Sequence, residues 1–454
     1  MELAAAPATG RLRLTARRKN ILDRALSLVT DVKPGEGLTA ILLASNVFCL
    51  LASYYVLKTV RESLILSEGG AEVKSYAAAG QALLLLLLVP AYGAFASRVN
   101  RMALVSGVTL FFASHLLVFY LLVAGGVRIG VAFFLWLGIF NLVVVAQFWA
   151  FANDVYSQER GKRLFPVVGL GSSAGALVGA QFAGAFFAGA GPGMLLLLAS
   201  AGLVLCVAIS LWVHRRECDR CDSATREQVE RPLGKAGGFR LVLGDRYLLF
   251  IALLVTTVNV VNTVGEFLLG KLVVAEAGRV AAAGGLSAAT YIGQFYGGFY
   301  AWVNLLGLVL QAFVVSRVFK RVGIRGSLFV LPAVASLSYG LMAFVPVLAA
   351  VAFAKTFENA TDYSVQNTAR HALFLPTSRE AKYKAKQAID SFFWRAGDLL
   401  QAAVVLAGVY LAFGTREYAM LNLVFVVAWF ALVIAIGREY RRRFPAEAGK
   451  REAA

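Results

Sequence analysis

Two clusters of charged residues sit where the surrounding sequence is almost wholly apolar. The first, Lys58-Thr-Val-Arg61-Glu62, closes the apolar run 41–60. The second runs from Lys355 through Glu358, Asp362, Arg370, Lys382, Lys384 and Lys386 to Asp390, Arg395 and Asp398. A charge near the middle of a bilayer costs at least ~2.5–3.5 kcal/mol, so it faces a cavity, a partner or a ligand. Both clusters are biased toward cations. The chemistry they could do is to hold an anion in a low-dielectric interior.

Helical spacing puts these residues on shared faces. Lys58 lies three residues before Arg61 and four before Glu62. Two readings are open for them: an anion site, or interfacial anchors whose long stems snorkel to the surface. Lys355, Glu358 and Asp362 share a face, as do Arg395 and Asp398; ion pairs within each set would account for them without a ligand. A second, uncharged layer adds Asn141, Gln147, Asn153 and Asp154, then Asn259 and Asn262 beside Glu266, then Tyr291, Gln294 and Tyr300. Such faces line an aqueous path or tie helix to helix.

The elements that must position these groups are membrane spans. Only 15% of the 454 residues are charged, against roughly 25% in soluble domains. A span needs about 20 apolar residues, and about twelve such runs occur, from 38–60 to 417–437. Backbone polar groups in lipid must be satisfied internally, so the fold class is an all-α helix bundle. A charged segment, 214–246, contains Pro232 and separates six runs from six. The predicted organisation is a basic tail 1–36, a six-helix bundle 37–213, a central loop 214–246, a second bundle 247–437 and a basic tail 438–454. Ser97-Arg98-Val99 after the second run is echoed by Ser316-Arg317-Val318 after the eighth. Six-plus-six duplication is the major-facilitator plan, with a substrate site near the midplane between halves.

The net charge of +18 would point to nucleic acid in a soluble protein. Here about 34 of the 44 Lys and Arg fall on one side of the predicted membrane. That asymmetry predicts both termini on the cytoplasmic side of a cytoplasmic (bacterial inner) membrane and excludes a nucleic-acid partner. The polar, basic first 35 residues carry no cleavable signal pattern. Cys218-Asp-Arg-Cys221 with His214 offers three ligands where structural zinc wants four, so no metal is predicted. Gly171, Gly175, Gly179 and Ala183 recur every four residues, a packing stripe rather than a dinucleotide loop. No phosphate-loop or zincin motif occurs. The chain reads as a gradient- or exchange-driven carrier and not an enzyme.

Three blocks then resemble one family. Tyr54-Tyr-Val-Leu-Lys58-Thr-Val-Arg61-Glu62 is similar to the first-span motif of the ATP/ADP antiporters of plastids and obligate-intracellular bacteria. Phe148-Trp-Ala-Phe-Ala-Asn153, followed by Lys162-Arg163-Leu-Phe-Pro166, resembles a second motif. Tyr363-Ser364 through Pro376 to Lys382-Tyr-Lys384-Ala-Lys386-Gln-Ala-Ile389-Asp390 resembles a third, and the order is the same. Asn367, Thr368 and His371 depart from the family's Asp, Pro and Glu, and Asp398 stands in place of a Lys. Arg160 replaces an acidic residue, and Glu266 is one place from the family's seventh-span Glu.

The resemblance implies a twelve-span facilitator exchanging nucleotides without cofactor. It implies substrate contacts from Lys58, Arg61, Arg370, Lys382, Lys384 and Lys386, and Asn153 and Arg395 are further candidates for substrate contact. Glu62, Glu266, Lys355, Glu358, Asp362, Asp390 and Asp398 are the candidates for ion pairs that change between states. Two rivals are carried with it: an organic-anion carrier with Glu266 and Asp362 moving a proton, and a non-transporting sensor on a carrier fold. The sequence gives no oligomeric state.

Overall fold

The computed structural model describes residues 21–27, 30, 32–96, 99–156, 158–218, 238–378, 381 and 385–443. Lys382 and Lys384 lie outside these residues, as does Cys221. The described elements are all helical. Eight helices are long and apolar enough to cross a membrane, and two of them are each a pair. The first breaks at Gly70 (φ 76°, ψ −175°), giving α1 (37–69) and α2 (71–96). Another breaks at Gly191 (φ 66°, ψ 173°), giving α5 (158–190) and α6 (192–218). This backbone region is essentially open to glycine alone, so one residue turns the chain back.

Between these pairs lie α3 (Arg101–Ala124) and α4 (Gly130–Val155). The second half comprises α7 (Arg246–Ala282), α8 (288–322) and the shorter α9 (Val330–Phe344). It ends with α10 (348–372), α11 (Lys386–Tyr410) and α12 (Thr415–Arg443). The result, among the described residues, is a bundle of twelve helices in an integral membrane protein. Large apolar residues such as Leu87, Leu121, Leu337 and Val427 are left exposed on it. That is the surface a bilayer covers, since soluble proteins rarely expose wide apolar patches.

Of the expected 214–246 segment, residues 219–237 lie outside the described residues, and its two ends are helical. α6 runs helical to Cys218, and Gly238–Gly244 forms a short helix before α7. α1 is likewise longer than its apolar run. It continues to residue 69, so Lys58, Arg61 and Glu62 lie two to three turns inside a helix rather than at its end.

Two apolar cores match the two halves. One is built wholly from residues 32–213. The other fills the second half and reaches across to Ile65, Leu66, Ala71 and Phe134 of the first. The glycine stripe explains how α5 approaches α1. A Cβ on Gly171, Gly175 or Gly179 would fall 2.3–2.4 Å from the carbonyl oxygens of Ala44, Phe48 and Ala52. At the crossing of α5 with α8, a Cβ on Gly297 would fall 2.3 Å from Gly184 Cα.

Taking the side where α1 begins and α12 ends as the near side, the described polar contacts between halves lie toward the far side. Ser63 Oγ donates to Ala289 O (2.6 Å) and Gln401 Nε2 donates to Ser75 Oγ (3.0 Å). Lys271 and Glu72 approach to 3.8 Å.

Candidate functional site

A cavity of about 210 Å3 opens between the halves just inside this far-side seal. From the first half, α1 contributes Lys58, Arg61 and Glu62, and α2 contributes Lys74, Ser75 and Gln81. From the second, α7 contributes Asn262 and Glu266, and α11 contributes Arg395, Asp398 and Gln401. Phe134, Phe267, Tyr300 and Tyr363 supply aromatic walls.

Tyr363 sits on a π-helical turn, Asp362–Gln366, that interrupts α10; a second such turn, Ile389–Phe393, precedes Arg395 on α11. Each wide turn shifts the helical phase of the residues after it, a common device at functional sites. Tyr363 is 44% exposed although it lies deep in the bundle, because its ring borders the void.

The charges in the lining are four cations (Lys58, Arg61, Lys74, Arg395) and three carboxylates (Glu62, Glu266, Asp398). Glu62 is fully buried and takes two partners from its own half. Arg61 pairs with Oε1, and Lys74 Nζ lies 2.6 Å from Oε2. From the other half, the Tyr300 hydroxyl donates to Glu62 Oε1 at 3.2 Å. Arg395 Nη1 pairs with Asp398 Oδ2 at 3.1 Å, and Asn259 Nδ2 donates to Asp398 Oδ1 at 2.7 Å. Glu266 accepts from Asn359 Nδ2 at 2.7 Å.

Lys58 makes no ion pair among the described residues. Its ammonium lies 4.0 Å from the centroid of the Tyr300 ring and 5.2 Å from that of Tyr55. Such cation–π contacts hold a charge without neutralising it.

The cavity thus gathers Lys58, Arg61, Glu62, Glu266, Arg395 and Asp398 and leaves other sequence candidates outside its lining. Lys355 and Glu358 form a sealed pair (3.1 Å) behind the wall, 0% and 3% exposed. Lys355 Nζ also donates to Asn262 Oδ1 at 2.7 Å, so the pair braces a cavity residue from behind. Arg370 stacks over Trp394 at 5.1 Å and donates to Asn367. Lys386 and Asp390 pair with one another at 2.9 Å. Asp362 makes no ion pair among the described residues, and Asn153 is exposed near the end of α4.

Among the lining residues, Lys74, Ser75, Gln81 and Gln401 are ones that sequence reasoning passed over, while Tyr300 belongs to the uncharged polar face it singled out. Lys74 reads as a loop cation because an apolar run begins at the next residue. The signal was Gly69-Gly70: a one-residue reversal folds α2 onto α1, and a long Lys stem four residues beyond it reaches back to Glu62.

A separate cluster ties the near-side helix ends together. Arg160 and Arg163 both reach Glu36 at 3.0 Å, and Arg160 also approaches Glu217 at 3.5 Å. Partial burial would raise the Glu36 carboxyl. Hydrogen bonds from Arg163, the Lys33 backbone and Arg160 outweigh it and hold the group below the usual carboxylate range.

Among the described residues, twelve helices in two halves around a central charged cavity define a fold of the major-facilitator type. Solved structures support that fold. A crystal structure of the nucleoside transporter NupG superposes with a TM-score of 0.62 at 11% identity, covering 89% of this chain and 99% of that one. A POT family transporter in complex with 5-aminolevulinic acid gives 0.60 at 14% identity, covering 87% and 96%.

Within that class, the model of the TLC ATP/ADP transporter family matches residues 133–440, and the chain belongs to this family. It is 25% identical over 326 residues to ADP,ATP carrier protein 1, chloroplastic, of Arabidopsis thaliana, covering 64% of this chain and 51% of that protein. Carrier protein 2 from the same plant is 23% identical over 346 residues, covering 69% and 54%. The chain spans about half the length of these curated relatives.

Proposed function

We propose that this protein exchanges nucleotides of the ATP/ADP kind across a membrane by alternating access. The observation that carries the reading is the cavity between the halves, where four cations from α1, α2 and α11 converge with aromatic walls. Phosphoryl oxygens suit Arg forks and Lys ammonium groups, and a nucleobase suits aromatic faces. Lys58 and Arg61 would neutralise phosphate from the first half and Arg395 from the second.

Residues nearer the helix ends would act in entry: Arg370 and Lys386 at the near-side mouth, and Asn153 near the end of α4. Lys382 and Lys384, which lie outside the described residues, are proposed as further substrate contacts on the sequence alone. Glu266 and Asp398 would set pairings that rearrange between states, and Asp362 and Asp390 would do so at the mouth.

The present cavity is smaller than the roughly 300–1,000 Å3 of typical small-molecule sites. A nucleotide would therefore be held only after the halves part further on the near side. The far-side contacts correspond to a closed gate. The positive bias of the near side supports assigning it to the cytoplasm, in a bacterial inner membrane. Exchange of species differing by one charge is worth about 2.3 kcal/mol per 100 mV, so membrane potential would set the direction.

The test is uptake of labelled ATP into proteoliposomes preloaded with unlabelled ADP. Uptake that depends on internal nucleotide establishes exchange; none, from folded protein, rejects it. One feature favours a second substrate. The lining is nearly balanced, four cations against three anions, which suits a phosphorylated anion of lower charge than ATP. Nucleoside monophosphates belong in the same panel.

A further inference from the structure

We propose that Arg61, Lys74 and the Tyr300 hydroxyl form a phosphoryl subsite, and that Glu62 fills it in the empty carrier as a built-in substitute for the substrate. This rests on the nucleotide reading above. Three donors from three helices converge on one carboxylate: Arg61 on α1, Lys74 on α2 at 2.6 Å and Tyr300 on α8 at 3.2 Å. Two cations meet one anion, so the set holds an unmatched positive charge while Glu62 is present.

A second observation points to a larger ligand. Arg61 reaches Glu62 through one terminal nitrogen, while its Nε is buried without any hydrogen-bond partner. A carboxylate placed there uses half of the guanidinium fork. A phosphoryl group, with three oxygens, can take both sides of the fork and still accept from Lys74 and Tyr300.

Displacing Glu62 has a mechanical consequence. Its contact with Tyr300 joins α1 to α8 beside the far-side seal. When phosphate takes Arg61, Lys74 and the Tyr300 hydroxyl, the fixed link from Glu62 to Tyr300 is lost, and what joins the halves there is a ligand that can let go of either one. The empty carrier stays latched and the loaded one reorients. That is the requirement for exchange without net leak.

The experiment compares nucleotide binding by the solubilised full chain and its variants, with adenosine as the uncharged control. For Glu62→Gln, the Kd for ADP should fall by about 5-fold or more, the lower end of typical coupling free energies. Adenosine binding should not change. Proteoliposomes carrying this variant should also release preloaded ADP without external nucleotide. Lys74→Gln should weaken ADP binding by a similar factor and again spare adenosine.

Unchanged or weaker ADP binding in folded Glu62→Gln overturns the proposal, as does an equal effect on adenosine. If Glu62→Gln does not fold, Lys74→Gln and Tyr300→Phe decide. Tyr300→Phe should raise the unpaired ADP leak, and a tight Tyr300→Phe carrier with unaltered Lys74→Gln affinity overturns it. If the wild type binds no nucleotide, the nucleotide reading fails on its own. The same comparison with inorganic pyrophosphate then tests the subsite, and pyrophosphate binding that Glu62→Gln does not tighten rejects it.

Discussion

Two buried charge clusters lie on either side of the same cavity wall and are built to opposite ends. Behind the wall, Lys355 and Glu358 match one cation to one anion. Asn262 accepts from the ammonium, and the Tyr339 hydroxyl lies 3.0 Å from Glu358 Oε1 and 2.7 Å from Val261 O. In front of it, Arg61 and Lys74 share one carboxylate, and Lys58 lies against aromatic faces with no ion pair among the described residues. A balanced, sealed pair fixes helices; an unbalanced set bordering a void holds its charge in reserve for something else. Burial of charge in this bundle therefore has two meanings, told apart by stoichiometry and access rather than by residue type.

The largest predicted effect breaks the sealed pair. Lys355→Met leaves the Glu358 carboxylate buried and uncompensated, a loss of about 3–5 kcal/mol in stability. It should appear as a lower denaturation midpoint in detergent, and Lys355→Met/Glu358→Leu should recover most of it. The cavity should respond the other way. Arg61→Ala leaves Glu62 and Lys74 as a matched pair, so stability should fall by only about 1 kcal/mol. Exchange should drop about 100-fold, the weight of roughly 2.7 kcal/mol of lost binding. Equal stability losses in the two variants would erase the distinction between the clusters.

That distinction was only partly legible in the sequence. Span number, the two halves and the packing stripe come from apolar run length and from glycines four apart, which act locally. The sequence marked Lys355, Glu358, Arg61 and Glu62 as improbable in lipid, which is a statement about cost alone. Which of them share a carboxylate depends on the turn at Gly70 and on the approach of α8, and neither is encoded near the charges. Lys74 was hidden for that reason. Glu266 and Asn359 are 93 positions apart, yet 2.7 Å separates their side-chain atoms. Only the packing of α7 against α10 brings them together. The family motif around Arg370 and Lys386 marks chemistry by resemblance, while the cavity is lined by residues one or two turns deeper.

A third prediction sharpens the contrast at the seal. Gly297→Ala would put a methyl group 2.3 Å from Gly184 Cα, where backbone and not a flexible side chain must yield. Overpacking of this kind costs about 1–3 kcal/mol. The cost falls only on the state in which α5 and α8 touch. The variant should therefore lower the denaturation midpoint modestly and increase labelling of an introduced cysteine on the far side. Unchanged labelling would mean that the α5–α8 crossing is not part of the gate.

The smallest effect belongs to the near-side cluster, which borders neither the cavity nor the sealed pair. Glu36 is held below its ordinary range by Arg163, the Lys33 backbone and Arg160 against the opposing effect of burial. A depressed folded value means that the stabilisation is complete above the unfolded carboxylate pKa, about 4.3, and fades as pH falls through the lower folded value. Glu36→Gln should cost about 1 kcal/mol at neutral pH, the upper range for partly exposed ion pairs. The gap between variant and wild type in denaturation midpoint should close on acidification below about pH 4. Because Arg160 and Arg163 join α1 to α5 and α6 within one half, nucleotide affinity should not track that gap. An affinity that fell with it would tie the near-side cluster to the cavity and remove the independence of the two regions.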